Sequence, residues 1–288
     1  MERHDRQQWK EPNFWAPMLV ITVVLGVVLF FWWGEEQPAE PPAREEMPVS
    51  PQEGLELPAE VEEPEIQYPV PVPGLPEEAI TPSQMEKEPL PVLDLSDAFI
   101  EEEFRHLYDE QKFGGLFLLK DIIRNIVVTI DNMTGAKLPQ KYSFTAPPGG
   151  QFLVFRDAAG TEFIDPKNHD RYWSFVELAE MSDLRRFVSF YVRYYPLFQQ
   201  AYRDLGYPDR YFNDRFVQVL DHLLAAPEIR VPIKLVRPKV FYQYADPALE
   251  SLSAGQKLLI RMGPDNAARA KARIKELRQA LTSLKNKN

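Results

Sequence analysis

Residues 14 to 33, FWAPMLVITVVLGVVLFFWW, run twenty positions without a charge. A helix rises about 1.5 Å per residue, so this run matches the roughly 30 Å hydrocarbon core of a bilayer and is predicted to span it. Trp15 at one end and Trp32 with Trp33 at the other fall where an amphipathic ring meets both lipid and water. Pro17 sits in the first turn, where a missing N–H breaks no helical bond. The run is longer than the apolar region of a cleaved signal peptide, and no A-x-A site follows it directly, which predicts an uncleaved anchor. Arg3, Arg6 and Lys10 precede it and the next basic residue is Arg44. The positive-inside rule then puts residues 1–13 in the cytoplasm and the rest outside, in the periplasm of a Gram-negative cell whose inner membrane holds the span.

The formal charge of -10 is unevenly spread. Residues 34–91 hold fourteen of the 27 prolines and set Arg44 and Lys87 against fifteen glutamates. Such a segment buries too little apolar surface to offset its ordering entropy, and is predicted to be a disordered, extended linker. Its YPVPVPGLP run has the alternative reading of a polyproline ligand.

Residues 92–288 carry 28 basic and 25 acidic side chains. A surplus of three without a basic run is weak support for a nucleic-acid face, which needs clustered Lys and Arg, so no nucleic acid is expected as a partner. The periodicity predicts a domain that is mainly α with a small β element. FIEEEFRHLYDEQ reads as a helix capped by Asp94 or Ser96, and LFLLKDIIRNIVVTI as a buried central helix. QFLVFRDAAGTEFI reads as two short strands turning at Ala159 and Gly160. LRRFVSFYVRYYPLFQQAYRDLG is a helix that Pro196 should kink or split, and FNDRFVQVLDHLL another. Val231 to Tyr244 reads as one bent strand at a sheet edge. Asp246 with Pro247, and Ser253 with Gln256 in capping-box spacing, open two short helices. The last helix sets Ala267, Ala270, Ile274, Leu277, Leu281 and Leu284 in a seam under three heptads long. That fits packing on its own domain, with a coiled-coil homo-oligomer as the alternative.

The stretch GYPDRYFNDR, residues 206–215, packs four charges, two tyrosines and a phenylalanine into ten positions. As a helix corner, Gly206 is a left-handed C-cap, Pro208 stops the helix, Asp209 caps the next one, and Tyr207, Tyr211 and Phe212 fill the angle. As a catalytic site, Asp214, Asp221 and His222 project from one helical face two turns apart and are the candidates for acid–base work. No nucleophile or substrate contact accompanies them, so the corner is the favoured reading. The chain has no cysteine and no G-x-G-x-x-G, G-x-x-x-x-G-K or G-x-S-x-G motif, which removes thiol, dinucleotide, P-loop and common serine hydrolase chemistry. His106, His169 and His222 are far apart, and the Asp165–Asp170 loop has the composition of any turn, so no metal and no cofactor is predicted.

The run YPLFQQAYRDLGYPDRYFNDR, with VLDHLLAAPE, LVRPKVFYQYADPALESLSAGQK, LLIRMGP, DLSDAF and the TIDN of residues 129–132, resembles the bacterial domain-of-unknown-function 3014 family. The resemblance covers nearly all of residues 92–288. It implies a single-span envelope protein with an N-terminal anchor and a variable Pro-rich linker, and carries over no catalytic residue. In NHDRYW it implies an aromatic more often than His169 ahead of the Arg–Tyr pair, which weighs against a metal or catalytic role for that residue. The expected function is a binding or scaffolding module for an envelope protein or cell-wall partner. The alternative is an enzyme on envelope polymers, with Trp173, exposed tyrosines and paired carboxylates as its platform.

Overall fold

The computed structural model describes residues 65–71, 89–105 and 114–284. The expected membrane span, most of the linker and His106 lie outside them. Among the described residues no helix is long and apolar enough to cross a membrane.

The domain is mainly helical. Helix α1 (Asp97–Arg105) buries Ile100 and Phe104, and α2 (Ile122–Asn132) is the central helix expected from its apolar repeat. It starts at Ile122 rather than near Leu116 for a local reason. Asp121 adopts the left-handed conformation (φ 48°), and the Asp97 carboxylate takes the N–H groups of Asp121 and Ile122 at 2.7 and 3.0 Å. Asp97 thus fills two of the orphan donors that a helix start exposes. Ahead of Asp121 the chain makes a single 3-10 turn at Gly114–Leu116 and then a bridge from Phe117 to Thr145.

Strands β1 (Val154–Arg156) and β2 (Glu162–Ile164) form the expected antiparallel hairpin, with Gly160 at φ 80° in its turn. Helix α3 (Trp173–Met181) follows, and then α4 (Leu184–Asp204). Pro196 does not split α4. Tyr191, Tyr194 and Tyr195 before it and Phe198 and Tyr202 after it are all buried, and packing on both sides holds the helix across the missing hydrogen bond. Helix α5 (Phe212–Leu224) packs against α2 and α4.

The segment read as one bent strand is instead a second small hairpin, β3 (Leu235–Val236) with β4 (Gln243–Tyr244). Residues 237–242, with Pro238 among them, reverse the chain rather than merely bending it. Leu235, Tyr244, Ile164 and Ile260 form a small cluster beside the main core. Helix α6 (Pro247–Glu250) is capped by Asp246, and α7 (Ala254–Arg261) opens with the capping box of Ser253 and Gln256. Helix α8 (Pro264–Thr282) buries Ala270, Ile274, Leu277 and Leu281, and Leu284 beyond it is buried too. This seam faces α5 and α3 of its own domain.

Candidate peptide-binding site

The corner between α4 and α5 is built largely as its sequence predicts. Gly206 has φ 112°, Phe212 is fully buried, and Tyr207 and Tyr211 pack against the core. The cap differs: Tyr211, not Asp209, holds the N-cap position of α5 and supplies no side-chain bond there. Gln199 of α4 does that work, accepting from the Phe212 N–H at 2.8 Å and donating to the Arg210 carbonyl at 2.8 Å. The hydroxyl of Tyr195 accepts from the Asn213 N–H at 3.3 Å. With the N–H groups of Phe212 and Asn213 capped by Gln199 and Tyr195, the side chains of Tyr211, Asn213 and Asp214 bond elsewhere.

They face residues 65–71, EIQYPVP, a strap that lies along the corner and bends at Gln67 and Tyr68. The Asp214 carboxylate accepts from the Gln67 N–H at 3.0 Å and the Tyr68 N–H at 2.8 Å. Asn213 Nδ2 donates to the Tyr68 carbonyl at 2.8 Å, and the Tyr211 hydroxyl accepts from the Val70 N–H at 2.8 Å. Pro69 and Pro71 have no N–H to place. Every backbone donor from residue 67 to 71 is therefore used, by side chains rather than by a ladder. Val70 is 5 % exposed and joins the main core, with Tyr68 partly buried against it. The composition of residues 34–91 predicts a uniform linker; this part of it is docked because the domain places the oxygens of Asp214 and Tyr211 where its N–H groups meet them.

The geometry is preset by buried groups. Asn213 is fully buried, and the Tyr191 hydroxyl donates to its Oδ1 at 3.1 Å, which turns Nδ2 toward the strap. Burial pushes the phenols of Tyr191 and Tyr195 well above the ordinary tyrosine range, so both stay neutral at any working pH. Asp214 stands in the first turn of α5, with one carboxylate oxygen for each of the two strap N–H groups. A few residues along α5, Asp221 pairs with Arg278 of α8, whose guanidinium that bond holds above its ordinary pKa, with the Tyr68 hydroxyl contributing as well.

The three residues considered for acid–base work thus have partners within the chain. Asp214 holds the strap, Asp221 pairs with Arg278, and His222 Nε2 shares a 2.8 Å hydrogen bond with the Ser253 hydroxyl at the start of α7. Asp214 and Asp221 both serve the side of α5 beside the strap, whereas His222 turns to another element. Burial lowers the pKa of His222, with Arg215 adding to the effect. Trp173, half exposed, lies under the Arg269 guanidinium at 4.5 Å, away from these groups in contact and partner. In the Asp165–Asp170 loop, Asp165 caps the Lys167 N–H and Asn168 ties the loop to Leu153. His169 packs against Gly263, where an added Cβ would fall 2.5 Å from its ring. Among the described residues no group of three or more His, Asp or Glu is placed to hold a metal. A cleft of about 750 Å³ opens beside α2, lined by Lys120, Arg124, Lys141, Tyr142 and Asp204, and none of the candidate residues borders it.

Fold and site together define a helical domain whose corner holds residues 65–71 of its own chain through main-chain hydrogen bonds. The chain belongs to the family described as "Protein of unknown function (DUF3014)", which it matches over residues 122–278. The match includes the whole corner, and residues 65–71 lie outside it. No curated protein and no solved structure matches the chain.

The strap is the part that sequence reasoning missed. The signal available was the coincidence of an aliphatic, charge-free YPVP within a glutamate-rich segment and a surplus of outward polar groups at the corner.

Proposed function

We propose that this protein is a single-pass, membrane-anchored binding module of the cell envelope. Residues 14–33 hold it in the membrane with the N-terminus in the cytoplasm, and residues 34–64 carry the domain outward. The uncharged run, its flanking tryptophans and the basic residues on one side only support the anchor. The observation that carries the binding role is the corner of α4 and α5, where three side chains read the main chain of a docked, non-helical segment. Side chains preset to grip a backbone are the equipment of peptide recognition, in which main-chain bonds supply affinity and pockets for selected side chains supply choice.

The test is photocrosslinking in intact cells from Asp209 and Arg210, both exposed beside the corner, in a chain that also carries a phosphatase reporter after Asn288. The reading expects an active reporter outside the cytoplasmic membrane and reproducible capture of a protein. An inactive reporter removes the anchor and its orientation. Capture of wall glycan alone removes the peptide-binding role.

A further inference from the structure

The strap reaches the groove from within a segment of linker composition. Thirty-one residues, 34–64, separate it from the end of the apolar run, and seventeen, 72–88, separate it from the residues that lead into α1. The groove belongs to the domain and not to the strap. Asn213 is aimed by Tyr191, and the first turn of α5 is capped by Gln199 and Tyr195 with no contribution from residues 65–71. The strap inserts one fully buried side chain, Val70, while Glu65, Ile66, Gln67 and Pro71 remain exposed. Such a contact specifies a sequence without welding it in place.

Resting on the binding role proposed above, we propose that this groove is an exchangeable site for a short peptide segment of a partner protein, and that residues 65–71 are its built-in competitor. The ligand is defined by the template that fills the site. Its backbone supplies donors at three positions that match Gln67, Tyr68 and Val70. It carries an aromatic side chain at the Tyr68 position beside Arg278, a residue needing no N–H donor at the Pro69 position, for which proline is suited, and a small aliphatic side chain at the Val70 position that enters the core. The carbonyl at the aromatic position meets Asn213 Nδ2.

A ligand tied by a short linker acts at an effective concentration of about 1 mM. A free peptide that binds the empty groove at about 10 to 100 μM therefore binds the intact protein about 10- to 100-fold more weakly. Exchange also changes reach. With the strap docked, 31 residues (34–64) separate the apolar run from the domain; with it released, 55 residues (34–88) do. A partner peptide would thus free the domain to move outward as it binds.

The absence of cysteine from the chain makes the test direct. Full-length protein in detergent carries Ile66→Cys and Gln218→Cys, both exposed positions, with a spin label on each. The probe is a synthetic, end-blocked EIQYPVP peptide, and a scrambled peptide is the control. Exchange predicts a short, narrow distance distribution that becomes long and broad as the probe, but not the control, is added. In a strap-opened chain, Tyr68→Ala with Val70→Asp, a fluorescent version of the probe should bind at least 10-fold more tightly than to the unaltered chain. Adding Asp214→Ala should weaken that binding at least 10-fold. Circular dichroism establishes that each variant is folded, and the spin-label experiment needs no destabilised strap. The proposal is overturned if the labels stay close at saturating probe, or if a folded strap-opened chain binds the probe no better than the unaltered one. In-cell capture from Asp209 without exchange would leave the binding module standing and remove only the exchange; exchange without capture would do the reverse.

Discussion

Two corners of this domain use similar polar groups in opposite ways. At the turn from α6 into α8, Asp246 bonds Ala248, Ser253 and Gln256 cap each other, and Gly263 packs against His169. Most of those bonds join residues two or three positions apart, so the corner cannot open without unwinding its own helices. At the corner of α4 and α5, Asp214, Asn213 and Tyr211 bond a segment more than 140 positions away. Removing that segment leaves every helix with its caps. The contrast separates a corner that belongs to the global fold from one that can open while the rest stays folded.

Substitutions can break or sharpen that contrast. The largest effect is expected from Gly263→Ala, where the residue sits at φ 83° and the new Cβ would meet the His169 ring. Positive-φ strain and overpacking together should cost about 2 to 4 kcal/mol in a denaturant melt, with the strap melting alongside the domain. Asn213→Leu should cost about 1 to 3 kcal/mol, because it strands the buried Tyr191 hydroxyl, and should also release the strap, visible as rapid proteolysis between residues 65 and 71. Ser253→Ala, which removes the cap of α7 and the partner of His222, should cost about 1 kcal/mol and leave strap proteolysis unchanged. Rapid strap proteolysis in that variant would mean that the two corners are not independent.

The smallest effect is that of pH. Burial lowers the pKa of both His169 and His222 in the folded state, so each takes up its proton more readily when the chain unfolds. Stability is then unaffected above the unfolded value near 6.5 and falls as the pH drops through the lowered folded values. The melting temperature should decline slightly below pH 6.5, and replacing both histidines with Gln should flatten that decline. The carboxylates of Asp170, Asp265 and Asp165 face His169 and moderate its shift, whereas Arg215 adds to that of His222.

The same contrast explains what the sequence made legible. Ser253 with Gln256, Asp246 with Pro247, and the Gly160 turn were readable because each pairs residues a few positions apart with defined turn or cap chemistry. The buried faces of α2, α4, α5 and α8 followed from apolar periodicity. Three features escaped it for nonlocal reasons. Tyr191 to Phe198 hold α4 together around Pro196 through packing. The Asp97 carboxylate moves the start of α2 from 24 residues away. Composition marks residues 65–71 as linker, since nothing within that segment announces that Asp214 and Asn213 will satisfy its backbone. At the corner, Tyr207, Tyr211 and Phe212 pack on the core as their sequence predicts, and Asn213 and Asp214 were what that reading left without a task.

The central claim is that the strap is a separable ligand of the corner, and native-state hydrogen exchange on the full-length protein tests it most directly. The amides of Gln67, Tyr68 and Val70 donate to Asp214 and Tyr211, so they should be protected relative to a free peptide. They should also exchange faster than the core amides of α5 and with little dependence on added denaturant, the signature of an opening that exposes little surface. Exchange of those three amides at the rate of α5, with the full denaturant dependence of global unfolding, would contradict the claim and make the strap a fixed part of the fold.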